Sequence, residues 1–179
     1  MPWIVEGVIY FYLFICVTLL VFNILYIAYS KWKTEKRESR IARWKHKLTE
    51  NGGISNSMVT ELKNIDQLLA FSNVLEQEYY HTETGRQFFI DNISAVQQLV
   101  YEYRNRSAME RAFMAYFIAS FDSGEVEGTE IIGRNLLGYL ENSTVYCREN
   151  VLNALYALGN SQILEHALEI FNENDWYHH

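Results

Sequence analysis

The most prominent pattern in the chain is an uninterrupted apolar segment near its amino terminus, residues 7–29, which contains no charged side chain. A bilayer core about 30 Å thick is crossed by about 20 helical residues. A signal peptide would begin with basic residues and end at a small-residue cleavage site, and neither is present. A water-exposed helix would carry a polar stripe, whereas this segment has aromatic residues on every face. The pattern predicts one uncleaved transmembrane anchor within residues 1–30.

The two flanks of this segment predict its depth and orientation. Aromatic residues suited to the membrane interface lie at both ends: Trp3, Tyr26, Tyr29 and Trp32. A basic juxtamembrane helix is predicted at residues 31–50. Within residues 31–47 there are eight basic residues and only two acidic ones, Glu35 and Glu38. The basic residues are Lys31, Lys33, Lys36, Arg37, Arg40, Arg43, Lys45 and Lys47. Basic residues beside a span stay in the cytoplasm, so we expect a single-pass cell-membrane protein with its amino terminus outside.

These eight residues, the basic collar, also predict contact with the lipid bilayer. A basic side chain near anionic head groups gains about 1 kcal/mol. The alternative is that the collar only sets the topology and binds no particular lipid. Ile41, Trp44 and Leu48 share one helix face by their spacing of three and four. This apolar stripe either packs on the following domain, which we favour, or lies on the membrane surface.

Beyond Asn51-Gly52-Gly53, apolar residues recur at intervals of three and four, so residues 51–179 are predicted to be an all-α domain. The motif Ser107-x-x-Glu110 is a capping box that opens a strongly apolar helix. The other predicted helices are one or two within 56–80, one at 84–104, and three at 127–140, 144–158 and 161–172.

The clearest internal similarity lies within residues 107–172. Placing 109–122 over 147–160, a shift of 38 residues, aligns Phe117 with Leu155 and Ala119 with Ala157, and then Val126 with Leu164. A period near 40 with two helices per unit is typical of an α-solenoid. An ordinary helical bundle gives similar apolar spacing without a period.

Charge and composition narrow the function classes. The chain has a net charge of −7, but from Leu48 onward it contains 19 acidic residues and only 7 basic ones. Such an acidic domain would repel a phosphate backbone, so no nucleic-acid partner is expected. Cys16 in the span and Cys147 in the domain cannot pair with each other, which fits a reducing cytoplasm.

No arrangement of residues predicts catalysis. The five histidines are scattered without the spacing of metal ligands, and the glycines form no phosphate-binding loop. We interpret Cys147 as a small, buried apolar residue. We therefore expect no enzyme activity, no metal, no cofactor and no small-molecule substrate. The acidic residues Glu125, Glu127 and Glu130 are either a docking patch or, as we favour, charges that stabilise a helix start.

Two places are predicted to bind a partner. Thr18 and Asn23 are the polar exceptions in the span. Both are expected to hydrogen-bond to a neighbouring helix, and the alternative for Asn23 is hydration near the membrane interface. The carboxyl end stops one helix into a new unit and offers Phe171, Trp176 and Tyr177. We predict partner binding by Asn23 within the membrane and by these three aromatic residues outside it.

The segment TVYCRENVLNALYALGNSQILEHALEIF (144–171) resembles a bacterial HEAT-like repeat through Arg148, an Ala-Leu-x-Ala-Leu-Gly helix end, a polar turn and Ala167-Leu168 on a buried face. The match covers about 30 residues well and 107–140 loosely. The resemblance implies a cytoplasmic scaffold or accessory subunit that binds an integral membrane protein. Such tethered proteins can accompany membrane glycosyltransferases that make a surface polysaccharide. A signalling adaptor and a lyase, an activity found among bilin lyases with this repeat, are the alternatives.

Overall fold

The computed structural model describes residues 2–174 and Trp176, and the described part of the chain is helical throughout, without a strand. This confirms the predicted all-α class. The helices are α1 (Pro2–Asn51), α2 (Asn56–Leu62), α3 (Ile65–Glu76), α4 (Glu83–Asp91), α5 (Ile93–Tyr103), α6 (Ala108–Ala119), α7 (Thr129–Leu137), α8 (Val145–Leu158) and α9 (Ser161–Glu173), and a 3-10 turn (Gly138–Leu140) follows α7.

Side-chain caps determine where most of these helices begin. The Ser107 hydroxyl accepts from the Glu110 backbone N–H at 3.3 Å, and the Glu110 carboxylate accepts from the Ser107 N–H at 3.1 Å. The predicted capping box is therefore confirmed. Five other helices have a side-chain oxygen that accepts from a first-turn N–H; the capping residues are Ser55, Asn64, Thr82, Thr144 and Asn160. Each cap satisfies a donor that the helix itself leaves unpaired.

The predicted helix at 84–104 is wrong as a single element, because the chain breaks at Asn92 between α4 and α5. The Asn92 side chain donates to the Phe88 carbonyl at 2.7 Å and accepts from the Ile54 N–H at 2.5 Å. These bonds offer the backbone an alternative to a continuous helix. The predicted helix at 127–140 begins at Thr129 instead, and its last turn tightens to 3-10 geometry.

The chain divides into two units, residues 1–42 and 43–179. Among the described residues, α1 is the one helix that is long and apolar enough to cross a membrane. The side chains of its most apolar 18-residue stretch are not buried. The predicted long apolar helix is thus confirmed. That it spans a membrane, and in which orientation, stays a prediction.

In the second unit, the helical domain, the helices form two rows. One row runs α2–α5–α7–α9, each helix contacting the next, and α6 packs along α8 in the other. The Trp44 ring lies 5.3 Å from Phe71, and Phe71 lies 6.4 Å from Phe117, centre to centre. Trp44 and Leu48 are both buried. The predicted packing of this part of the apolar stripe on the domain is therefore confirmed.

The predicted 38-residue register is one residue too long for α6 and α8. Their capping residues Ser107 and Thr144 lie 37 apart, and at that shift buried side chains coincide. The coinciding pairs are Met114 and Val151, Phe117 and Ala154, Ile118 and Leu155, and Phe121 and Leu158. Val126 precedes α7 whereas Leu164 lies within α9, so their predicted equivalence is wrong. The alignment matched residue types, while the caps set which residues point inward.

Candidate functional site

The aromatic residues predicted to anchor the span are exposed on α1. Trp3 is 86% exposed, and Tyr26, Tyr29 and Trp32 are also open. The Tyr29 and Trp32 rings lie 6.1 Å apart, and the Lys36 ammonium lies 5.0 Å from the Trp32 ring centre. An indole with a cation on its face has an apolar body and a polar contact, which suits the boundary between lipid and water.

The basic collar divides into two groups. Arg43 donates to the Gln67 side chain at 2.7 Å and pairs with Glu61 at 3.2 Å, and Lys47 also pairs with Glu61. Lys47 further lies 5.1 Å from the Trp44 ring centre. Glu61 therefore connects both residues to α2 and offsets one of their two charges, and their predicted contact with lipid stays a prediction.

Contact with lipid stays a prediction for the other six collar residues as well. Lys31, Lys33, Lys36, Arg37 and Lys45 are exposed, and Arg40 is partly exposed. Lys31 lies 4.0 Å from Glu35 on the same helix, in a pair that is open to solvent. A pair of this kind contributes little and leaves the lysine able to contact an anionic head group.

The two polar residues of the span differ in their hydrogen bonding. The Thr18 hydroxyl donates to the Phe14 carbonyl at 2.8 Å, so its own helix satisfies it. The Asn23 amide is exposed and makes no hydrogen bond within the described residues. An amide in a hydrocarbon environment gains from a partner group on a neighbouring helix. The structure therefore gives a physical difference between Asn23, which was predicted to bind a partner, and Thr18.

The carboxyl-terminal aromatic residues also differ in position. Phe171 is only 6% exposed, so it belongs to the core rather than to a binding surface. Trp176 is partly exposed; its ring lies 5.2 Å from Phe171 and 4.4 Å from the Arg148 guanidinium carbon. Tyr177 and the two final histidines lie outside the described residues. Of the predicted surface, Trp176 is the described part that a partner could reach.

Similar contacts recur along the domain. The Tyr103 hydroxyl, at the end of α5, donates to the Leu62 carbonyl at 2.9 Å, and the Tyr139 hydroxyl, after α7, donates to the Val100 carbonyl at 2.6 Å. Burial raises the pKa of both phenols well above their ordinary value, so both stay protonated donors. Each bond connects the end of one helix to the end of the preceding helix in its row.

A second recurring contact starts in the first turn of α6 and of α8. The Arg111 guanidinium donates to the carbonyls of Glu141 and Asn142 at 2.8 and 3.1 Å. Arg148, 37 residues later, lies over the Trp176 ring and donates to the Ser143 carbonyl at 3.3 Å. Each arginine therefore contacts residues that follow a helix of the other row. These are Glu141 and Asn142, after α7, for Arg111, and Trp176, after α9, for Arg148.

Cys147 is buried, and its sulfur lies 3.8 Å from the Tyr139 carbonyl. Desolvation raises the pKa of this thiol, which lowers its nucleophilicity, as expected of a small apolar core residue. His81 and Asp122 form an exposed pair at 2.5 Å. Across the described residues, no three histidine, cysteine or acidic side chains are placed to hold a metal ion.

A shallow groove follows the seam between α7 and α9 in the helical domain. It consists of two adjoining hollows of about 360 and 390 Å³ that share Arg134 and Leu137. Further apolar side chains in its lining are Leu140, Ile163 and Ile170. The polar lining comprises Arg104, Glu130, Arg134, Glu141, Asn160, Gln162, His166 and Asn174, and Trp176 lies at one end.

Arg104 lies directly over Gly138 at the Trp176 end of this groove. A methyl group at Gly138 would lie 2.8 Å from Arg104 Nε and 3.1 Å from Cζ, so the absence of a side chain makes the space for the guanidinium. No sequence pattern marked Arg104, because its neighbour in space is 34 positions away.

No protein-family model, curated protein or solved structure shows significant similarity to this chain.

Proposed function

We propose that this protein is a non-catalytic, membrane-anchored scaffold or accessory subunit, whose helical domain is a HEAT-like α-solenoid that binds a protein partner in a membrane complex. The observation that carries the proposal is the combination of an uncovered apolar helix with a domain of repeating helix contacts. The first provides a tether and the second a long surface.

Three features recurring at 36–37 residues support the solenoid. Aromatic residues lie at or within three residues after the ends of α5, α7 and α9, at Tyr103, Tyr139 and Trp176. Arginines occupy the first turn of α6 and α8, and hydroxyl caps precede both helices. In a solenoid each unit contacts only its neighbours, so equivalent residues repeat the same contact. Tyr103 and Tyr139 follow that rule, since each hydroxyl bonds to the preceding helix in the row.

Asn23 supports an integral membrane partner. Its amide makes no hydrogen bond within the described residues, and in lipid such a group is stabilised by a second helix. The resemblance described above makes a membrane-embedded glycosyltransferase one candidate partner. The cytoplasmic position of the helical domain is part of this proposal and follows from the collar charges.

The test is affinity purification of the full chain in a mild detergent, with identification of bound integral membrane proteins by mass spectrometry. We expect one such protein in near-stoichiometric amount. Asn23→Leu should reduce its recovery by about 3- to 30-fold, because an interhelical hydrogen bond contributes about 0.6–2 kcal/mol. Thr18→Val is the matched control, since its hydroxyl is satisfied within α1, and should leave recovery unchanged.

Two outcomes contradict the proposal. Recovery of soluble proteins alone would favour the signalling adaptor, and equal losses for Asn23→Leu and Thr18→Val would remove the role of Asn23. Replacing residues 7–29 by an unrelated span provides an independent measurement. A complex subunit should lose its membrane partner, whereas an adaptor should retain its soluble ones.

A further inference from the structure

Apolar side chains are exposed on one side of the α8–α9 pair. Tyr156 is 78% exposed and Leu168 is 41% exposed, while Leu152 and Leu164 are half-buried. Within each helix the two residues are four positions apart, so they share a helix face. Tyr156 and Leu164 lie near the two-residue turn between the helices, and Leu152 and Leu168 lie one turn further from it. These four residues are the α8–α9 face.

The α8–α9 face is separate from the groove between α7 and α9, which α9 lines with Ile163 and Ile170. It is also distant from the carboxyl-terminal indole. Trp176 lies over Arg148 in the first turn of α8, and Tyr156 is eight residues further along that helix, a distance of about 12 Å. Trp176 therefore does not cover the Tyr156 end of the face.

The 37-residue register indicates that a helix fits on this side of α8. At that shift, Leu152 corresponds to Ala115 and Tyr156 to Ala119 of α6. Ala115 is completely buried and lies on the side of α6 turned away from Phe117, whose ring contacts α3. Since α8 packs along α6, it is α8 that covers this side. The equivalent side of α8 is covered by no helix of the described residues.

Negative charge surrounds the apolar centre of this face. Residues 145–179 contain five acidic residues and one basic residue, Arg148. Glu149 and Glu165 are exposed beside the face. Arg148 contacts the Trp176 ring and the Ser143 carbonyl, at the opposite end of α8 from Tyr156. The acidic excess is a property of the whole segment, so it does not depend on the pairing of any one side chain.

We propose that the α8–α9 face binds an amphipathic helix of the protein partner, with apolar residues on its buried side and lysines or arginines along its edges. The covering of the equivalent α6 surface by α8 favours a helix over an extended segment. Charge complementarity selects basic edges, because Glu149 and Glu165 attract them. This inference deepens the scaffold function proposed above and rests on it.

A second copy of this chain fits the face less well. Pairing two α8–α9 faces would bring Glu149 and Glu165 of both copies close together, and like charges across an interface are unfavourable. The basic collar has the required charge but not the apolar side, because Trp44 and Leu48 are buried in its own helical domain.

The experiment is selection from a displayed library of random peptides, about four helical turns long, on the full chain in neutral phosphatidylcholine nanodiscs. We expect apolar residues at spacings of three and four, with lysine or arginine between them. The best selected peptide is labelled and measured by fluorescence anisotropy. Tyr156→Ser should weaken its binding at least about tenfold, since a tyrosine at the centre of an interface contributes strongly. Tyr101→Ser is the matched control, because Tyr101 is 65% exposed on α5, outside the face.

Glu149→Gln combined with Glu165→Gln measures the contribution of charge. Affinity should fall about 3- to 10-fold at low salt, and the loss should shrink as the ionic strength rises. Glu78→Gln combined with Glu127→Gln is the control, since it removes the same charge from exposed residues outside the face. Lack of basic enrichment among the selected peptides, or equal losses for either pair of target and control, would overturn the proposal.

Self-association of the wild-type chain in detergent that Tyr156→Ser abolishes would assign the face to a second copy and also overturn the proposal. Failure of this proposal is distinguishable from failure of the scaffold function. If the membrane partner co-purifies alike with the wild-type chain and with Tyr156→Ser, the face is not its binding site and the scaffold role stands. Recovery of no integral membrane protein with the wild-type chain would overturn the scaffold function, and this inference with it.

Discussion

At the scale of single residues, buried tyrosine hydroxyls hold the helices of one row together. The Tyr139 phenol is fully buried and donates to the Val100 carbonyl at 2.6 Å. A buried carbonyl that loses its donor costs about 1–3 kcal/mol. The phenol is also an acid whose pKa is raised on folding, so its contribution to stability is present below pH 10 and is lost as pH rises beyond it.

Tyr139→Phe should therefore lower the free energy of unfolding by about 1–3 kcal/mol, since the Val100 carbonyl is left without its donor. Thermal unfolding of the full chain in detergent, followed by circular dichroism, measures the change. The variant should also lose part of the destabilisation that the wild type shows above pH 10. Tyr101→Phe is the control, because Tyr101 is 65% exposed; an equal effect from both variants would contradict the assignment.

At the scale of elements, helix boundaries depend on short polar side chains. Asn92 splits a segment whose apolar periodicity runs through it, because its side chain bonds to Phe88 and Ile54. Ser107 and Glu110 open α6 in the same way, by satisfying backbone donors. The apolar pattern sets which face is buried, and the polar residues set where the element starts and stops.

Ser107→Ala should destabilise the domain by about 1 kcal/mol, the typical cost of losing a capping side chain. For a domain of this size the unfolding temperature should fall by about 2–6 °C. Differential scanning calorimetry of the full chain provides the measurement. The control Thr49→Ala removes a hydroxyl that bonds to the Lys45 carbonyl inside α1, and should change stability by less than about 0.5 kcal/mol. A null result for Ser107→Ala would show that the cap is not needed.

At the scale of the whole molecule, an apolar helix and an acidic helical domain follow one another in the chain. The proposed function requires that they occupy different environments, lipid for residues 7–29 and the cytoplasm for the domain. Eight basic residues between the two would hold that orientation, because moving them across a bilayer is unfavourable. The proposed topology is directly measurable.

Cysteine labelling in intact cells tests it. Trp3→Cys should react with a membrane-impermeant maleimide added outside, whereas Tyr156→Cys should react only after the cells are made permeable. Both positions are well exposed, so protection by folding does not interfere. The wild-type chain is the control, since Cys147 is buried and Cys16 lies within the span. Labelling of Tyr156→Cys from outside would reverse the orientation and the choice of partner.

The sequence by itself determined the properties that depend on near neighbours in the chain. Twenty-three uncharged residues define an apolar helix, and Ser107 with Glu110 defines a helix start, because composition and capping act within a few positions. The burial of Cys147 was also predicted correctly. These conclusions require no knowledge of which helices meet.

The tertiary structure decided everything that joins distant positions. It paired Arg43 and Lys47 with Glu61, buried Phe171, and brought Arg104 to Gly138. A charged or aromatic side chain has the same local pattern whether it faces a partner, a neighbouring helix or water. Its role is fixed by residues tens of positions away, since packing and ion pairing act through space and not along the chain.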